Sequence, residues 1–226
     1  MNHNLHTAVI IPAAGSGERL GAGTPKALVE IQGITLIERA VHNLSKVAET
    51  IVIAAPEGYQ DNFRKLFSAS QPGLNITIVT GGMLRSESVA NALQAIPPEI
   101  NYVLIHDAAR AFAPSALAEQ ISAELAHGEK AVVPAIAVVD TIKVVDSKNY
   151  VLETPDRMSL RAIQTPQGFT RDVIIAAHAD GADATDDAAL VSKLGIAVKV
   201  IAGHPLARKI TTIDDLAWAR ELAEHS

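Results

Sequence analysis

The sequence contains no cysteine. A disulfide scaffold, a thiolate-ligated zinc site and a thiol nucleophile are therefore excluded, and the chain fits a reducing compartment. Long hydrophobic runs are also missing. Stretches such as Ala131–Val139 fall far short of the roughly 20 residues that a membrane-spanning helix needs. The polar Met1–Thr7 segment has no basic stretch leading into an apolar one, so no signal peptide is read there. Positive charge is not in excess: 19 Lys and Arg stand against 25 Asp and Glu, a formal charge of −6. A surface that coats nucleic acid is not expected, whereas a local basic pocket for phosphates is compatible with this balance. The expectation is a cytoplasmic protein with neither a membrane nor a nucleic-acid partner.

What is present is an ordinary globular composition, 48% hydrophobic and 19% charged over 226 residues, enough for a core that needs no staples. Apolar runs recur at Val9–Ile11, Ile51–Ala55, Ile76–Val79, Val103–Ile105, Val132–Ile136 and Val198–Ile201. They are rich in Val and Ile and apolar on both parities, as strands covered on both faces are. Helical patterns lie between them. Thr35–Leu44 opens with Thr35 and Glu38 at capping-box spacing, Ser86–Ile96 carries apolar residues on one side, and Pro114–Leu125 begins with proline and is followed by Gly128. The last helix starts near Ile213. Strands alternating with helices predict an α/β fold with a Rossmann-like, mostly parallel sheet.

The rhythm breaks near Val138. Thr141–Val145 and Tyr150–Thr154 read as short strands joined by the turn-prone Asp146-Ser147-Lys148-Asn149. With no helix between them they form a hairpin, expected to project as an arm over about residues 138–168. Two strands alone are marginal, so such an arm wants a partner surface. No repeat or long linker divides the chain, which predicts a single domain, 1–226, with an arm. Ser226 follows the last helix closely, so no fused further domain is expected.

The richest segment is Pro12-Ala13-Ala14-Gly15-Ser16-Gly17-Glu18-Arg19-Leu20-Gly21, directly after the first strand. Small residues let backbone N–H groups approach an anion, and ligands of open parallel sheets lie beyond the carboxyl ends of the strands. Arg19 and Lys26 add positive charge. The loop is neither a Walker A sequence nor a complete G-x-G-x-x-G fingerprint, since Gly15-Ser16-Gly17-Glu18-Arg19-Leu20 lacks the third glycine. A plain glycine-rich turn is the alternative; the arginine, Pro25-Lys26 and the strand-end position favour a triphosphate cradle.

This loop, with Pro25-Lys26, resembles that of nucleotidyltransferases acting on sugar and polyol phosphates. Further segments narrow the resemblance: Gly81-Gly82 with Arg85 and Ser88, His106-Asp107-Ala108-Ala109-Arg110, Asp140-Thr141-Ile142-Lys143, Arg157, Thr165-Pro166-Gln167, Thr185-Asp186-Asp187 and Lys209-Ile210-Thr211. In order and spacing, nearly the whole chain is similar to the 2-C-methyl-D-erythritol 4-phosphate cytidylyltransferase family, of the nucleotide-diphospho-sugar transferase fold type. The sequence departs from that family's usual pattern at Ala27, Ala111 and Ala207, none of which removes a charge.

The resemblance implies transfer of CMP from CTP to methylerythritol phosphate with release of pyrophosphate, in non-mevalonate isoprenoid precursor synthesis. It implies a homodimer in which each hairpin arm embraces the partner. Arg19 and Lys26 would stabilise the transition state, while Lys209, and Arg157 from the partner's arm, would hold the incoming phosphate. Pro12, Ala13, Ala14, Gly15, Gly17, Gly82, Arg85 and Ser88 would line the nucleotide side, with Asp107 and Ala108 beside them. Asp107, Arg110, Thr141, Thr165 and Thr185 would surround the polyol phosphate. Taken without the resemblance, Asp107 and Thr185 also read as helix N-caps, and Arg157 as a solvated surface charge. Mg²⁺ is expected, carried mainly by substrate phosphates, and no direct protein ligand is read. A cytidylyltransferase for another polyol phosphate, such as ribitol 5-phosphate, and a nucleotide-binding module with decayed catalysis stay open at this point.

Overall fold

Strand β1 (Thr7–Pro12) explains why the first apolar run shows no alternation. Ala8 and Ile10 pack into one buried cluster while Val9 and Ile11 pack into another, on the opposite face of the sheet. The computed structural model describes residues 6–17, 20, 23–68 and 74–225. Arg19, Gly21 and the Met1–Leu5 part of the N-terminal segment lie outside the described residues.

After β1 come a 3₁₀ turn at Lys26–Leu28, a two-residue hairpin of β2 (Glu30–Ile31) and β3 (Ile34–Thr35), and α1 (Leu36–Leu44). The expected capping box is present: Thr35 Oγ1 accepts from Glu38 N at 3.2 Å and Glu38 accepts from Thr35 N at 2.9 Å. Next follow β4 (Thr50–Ala55), α2 (Gln60–Leu66), β5 (Asn75–Thr80), α3 (Arg85–Leu93), β6 (Tyr102–Ile105), α4 (Ser115–Ala126) and β7 (Ala131–Ala137). Strand β1 lies between β4 and β6, β5 lies beyond β4, and all these pairs are parallel.

The next strands, β8 (Val144–Val145) and β9 (Val151–Glu153), pair only with each other and stand apart from the central sheet. Their turn is the one read from the sequence. Asp146 accepts from Lys148 N and Tyr150 N, each at 2.9 Å, and Asn149 takes a φ of 64°. The strands are shorter than the sequence suggests, with a register shift at Val144 and Val145. Both are exposed, as are Val139 (80%) and Met158 (74%).

The chain then re-enters the main sheet, which the sequence did not foretell. Strands β10 (Arg161–Ile163) and β11 (Gln167–Thr170) run antiparallel to β7, and β11 also pairs antiparallel with β6. Gly168 permits this, because a Cβ there would collide with the Ile121 side chain of α4. Helices α5 (Arg171–Ala177) and α6 (Asp187–Lys193) follow, then β12 (Lys199–Ala202), parallel to the outer side of β7, and α7 (Ile213–Glu224). One face of the sheet is covered by α3, α5 and α6, the other by α1, α2 and α4. The mostly parallel α/β architecture is as expected. Helix α7 packs separately on Leu20, Ile31, Leu36 and Ile210.

Candidate active site

The segments that follow the carboxyl ends of β1, β5 and β6 face one cavity of about 530 Å³. Its floor is the loop after β1, tied to β4 by Ala13 N donating to Ala54 O at 2.9 Å and folded back by Lys26 N donating to Gly15 O at 3.2 Å. Two glycines serve it differently. Gly17 takes a φ of 76°, and a Cβ there would lie 2.9 Å from Thr24 O and 3.0 Å from Lys26 N. Gly15 has no neighbour within 4 Å of a built Cβ: the protein leaves that space to the cavity. Pro12, Ala13, Ala14, Gly15, Gly17 and Lys26 all line it.

The second wall is the segment between β5 and α3. Gly81 brings it against the first loop, since a Cβ there would stand 2.7 Å from Ala14 Cβ and 2.9 Å from Ser88 Oγ. Ser88 Oγ accepts from Gly82 N at 3.0 Å and donates to Leu84 O at 3.1 Å. Glu87 accepts from Met83 N at 2.8 Å and from Leu84 N at 3.1 Å. The start of α3 is thereby fixed, and Arg85 leaves it toward the cavity.

The third wall follows β6. Asp107 precedes a 3₁₀ turn, Ala108–Arg110, but its side chain caps nothing. It serves cations instead. Oδ1 lies 3.1 Å from Arg85 Nε, and Oδ2 lies 2.8 Å from Lys209 Nζ and 3.8 Å from Arg110 Nε. Burial by itself would raise the Asp107 pKa, but Arg85, Lys209 and Arg110 outweigh it and hold the carboxyl well below the usual range. Arg85 also pairs with the buried Asp187, Nη1 to Oδ2 at 2.7 Å. Burial opposes its charge, yet Asp187 and Asp107 raise its pKa further above the ordinary value. Three guanidinium or ammonium groups thus share two carboxylates, leaving the cluster net positive. That is an anion-binding arrangement in a protein of negative overall charge.

Thr165 lies behind Asp107. Its Oγ1 accepts from Asp107 N at 3.0 Å and sits 3.0 Å from His106 Nδ1. Burial pushes the His106 pKa down to about 4, so the ring is neutral near pH 7. Arg110 acts as a strut, donating to Ala207 O at 2.7 Å and Ile163 O at 3.3 Å. It lines a second cavity of about 550 Å³ with Arg208 and Trp218, and Lys209 lines both cavities.

The structure therefore gathers Lys26, Gly82, Arg85, Ser88, Asp107, Ala108 and Lys209 with the first loop, and places Thr165 and Arg110 just behind. Three predicted residues are not brought there within one chain. Thr141 is exposed in the segment before β8. Arg157 is exposed and donates to Val139 O at 2.9 Å. Thr185 is exposed, and it is Asp186, accepting from Ala189 N at 2.9 Å, that caps α6. The N-cap alternative read for Thr185 is thus corrected by one residue, and that for Asp107 is replaced by ion pairing. Nothing in the sequence marked Asp187 as a partner of Arg85, because the two lie about a hundred residues apart and Asp187 read only as part of the Thr185-Asp186-Asp187 segment. The departures Ala27, Ala111 and Ala207 are all buried in apolar clusters.

Residues 7–224 match the family IspD, 2-C-methyl-D-erythritol 4-phosphate cytidylyltransferase. The chain belongs to this family. Proteins bearing that name from Nocardia farcinica and Rhodococcus opacus are 46% and 47% identical to it, each over 95% of this chain, and over 93% and 94% of their own lengths. A solved 4-diphosphocytidyl-2C-methyl-D-erythritol synthase from Anaerococcus prevotii superimposes with a TM-score of 0.85 at 30% identity, covering 98% of this chain and 99% of that one. The cytidylyltransferase from Thermus thermophilus gives 0.78 at 34% identity, covering 96% and 98%. The chain is thus a cytidylyltransferase, a nucleotidyltransferase by reaction class.

Proposed function

We propose that the first cavity binds CTP and that the chain transfers its CMP moiety to 2-C-methyl-D-erythritol 4-phosphate, releasing pyrophosphate. The observation that carries this reading is the positive cluster around Asp107, set across a glycine-shaped loop from Lys26 at the carboxyl edge of a parallel sheet. An oxygen of the polyol phosphate attacks the α-phosphorus of CTP. One P–O bond forms, the bond to the bridging α–β oxygen breaks, and the electron pair leaves with pyrophosphate. No protein nucleophile is needed, because positioning and charge stabilisation supply the catalysis. Lys26 and Arg19 stabilise the charge developing on the α-phosphate and the leaving group. The Gly82 segment, Arg85 and Ser88 shape the base side, while Asp107 and Ala108 lie toward the sugar.

Lys209 lines both cavities and so spans the nucleotide and its acceptor, which we place in the second cavity beside Arg110. Thr141, Thr185 and Arg157 complete the acceptor site, with Thr141 and Arg157 supplied by a second copy of the chain. The exposed apolar side chains of Val139, Val151, Leu152 and Met158 support this homodimeric arm exchange, because single exposed apolar residues are common but a cluster on an isolated hairpin is not.

A divalent ion fits this site as part of the substrate. Asp107 is the only carboxylate lining the cavity among the described residues, and both its oxygens are paired with cations. Mg²⁺ would therefore arrive with the CTP phosphates, where it screens their charge. Among the described residues no helix is long and apolar enough to cross a membrane, and we place the enzyme in the cytoplasm.

Pyrophosphate release with CTP and Mg²⁺ tests the reading. Turnover is expected with methylerythritol 4-phosphate and not with ribitol 5-phosphate; turnover with ribitol 5-phosphate alone would overturn the acceptor assignment.

A further inference from the structure

Behind the cavity lies a buried titratable side chain that the reaction does not use. His178, at the C-terminal end of α5, is 9% exposed, and its Nε2 lies 3.1 Å from Asp187 Oδ1. Asp187 is 1% exposed, and its other oxygen meets Arg85 Nη1 at 2.7 Å. From Arg85 the contacts continue to Asp107 and on to Lys209. An unbroken polar line therefore runs from the helical layer beneath the sheet to two cations of the nucleotide cavity.

The arrangement has a mechanical logic. An arginine side chain has four rotatable bonds, and fixing its plane requires contacts on more than one edge. Asp107 grips Nε and Asp187 grips Nη1. Asp107 is itself fixed by its backbone bond to Thr165. The backbone of Asp187 is fixed differently: Gln167 of β11 donates to the Asp186 carboxylate at 2.9 Å and accepts from Ala188 N at 3.1 Å. What remains free is the side-chain rotation of Asp187, and His178 removes it by holding the oxygen that Arg85 does not use. Ligand-contacting groups held by a second layer of hydrogen bonds depend on that layer for their geometry.

We propose that His178 is a positioning residue which, through Asp187, holds the Arg85 guanidinium in the place where CTP meets it. The inference rests on the assignment of the first cavity to CTP. A purely structural His178 would join α5 to α6 and would influence only stability, so the two roles separate in steady-state kinetics on folded protein.

The test uses His178→Leu, which keeps the bulk but removes the donor, and His178→Gln, whose Nε2 reaches a similar position and still donates. His178→Leu is expected to raise KM for CTP about tenfold, the scale of losing one hydrogen bond to a charged group, with kcat changed far less. His178→Gln is expected to restore KM to within about twofold of the parent. In an Arg85→Ala background His178→Leu should add nothing to KM, since its effect passes through Arg85. An unchanged KM for CTP in folded His178→Leu, or a full additional penalty on top of Arg85→Ala, overturns the proposal. If His178→Leu does not fold, Asp187→Asn with the same double-variant comparison decides it. An Arg85→Ala enzyme with the parent's KM for CTP would instead overturn the nucleotide assignment of the cavity, and the relay with it.

Discussion

Lys26 and His106 show how differently one residue can matter in this molecule. Lys26 lines the nucleotide cavity at the start of a 3₁₀ turn, and its ammonium is proposed to act on charge that develops only in the transition state. Lys26→Ala is therefore expected to lower kcat about 10²–10³-fold, as removal of one preorganised donor does elsewhere; coupled pyrophosphate release measures it. His106 never meets the substrate cavity, and its consequence is thermodynamic. Its folded-state pKa is about 4, below the ordinary 6.5, because burial disfavours the cation. Between pH 6.5 and 4 the unfolded chain takes up a proton that the folded chain refuses, so stability falls as the pH falls through that window. The loss is at most about 3 kcal/mol. Urea unfolding at pH 7 and pH 4.5 should show a smaller difference for His106→Asn than for the parent. Asp107 adds a loss in the same direction at lower pH. Its depressed pKa stabilises the fold above the ordinary carboxylate value, and that contribution disappears as the pH falls toward its folded-state pKa.

At the scale of elements, the loop after β1 and the segment before α3 form a matched pair, and their glycines separate folding from binding. Gly81→Ala places a methyl against Ala14 and Ser88 and should lower the thermal midpoint, with an expected cost of about 1–3 kcal/mol from overpacking. Gly15→Ala meets no protein atom. It should leave the midpoint unchanged while raising KM for CTP, as a methyl group then occupies ligand space; calorimetry and kinetics on the two variants check the contrast. Strands β1, β4, β6 and β7 were legible in the sequence because most of their residues are buried on both faces and both parities are therefore apolar; β5 and β12 were legible from their Val and Ile residues, although they are only partly buried. Helix α1 was legible from the Thr35–Glu38 pair. Strand β11 was not, because its four residues include Gly168, whose value lies in the approach of Ile121 from another element. Helix α2 was not, because only Phe63 of its seven residues is buried. The same limit governs the site. The loop after β1 and Asp107 announce themselves by residue type and position after strands, and Lys26 by its place beside the loop, whereas Lys209 was legible only through the family resemblance. The pairing of Arg85 with Asp187 is a contact across roughly a hundred residues of chain and leaves no local pattern.

At the scale of the whole molecule, the residues proposed to grip the acceptor phosphate stand in two places on one chain. Lys209 and Arg110 stand at the central sheet, whereas Arg157 lies beyond the exposed hairpin and donates to Val139 O, on the other side of that hairpin. Deleting the arm is a blunt probe, because Arg161–Ile163 and Thr165 belong to the main sheet and to the support of Asp107. Mixing two single variants is sharper. Arg157→Ala and Lys209→Ala are each expected to be nearly inactive as pure proteins. If arms are exchanged between copies, a mixed dimer contains one site with an intact Lys209 from one chain and an intact Arg157 from the other. Random reassociation of equal amounts makes half the dimers mixed, so activity should return to about a quarter of the parent value, from the arithmetic of a two-fold dimer. If Arg157 served the site of its own chain, every site in the mixture would still lack one cation and mixing would restore nothing. Because Lys209 also pairs with Asp107 and lines the nucleotide cavity, KM for CTP is measured on the same mixture, and the recovery of turnover on mixing reports which chain supplies the arginine that grips the acceptor phosphate.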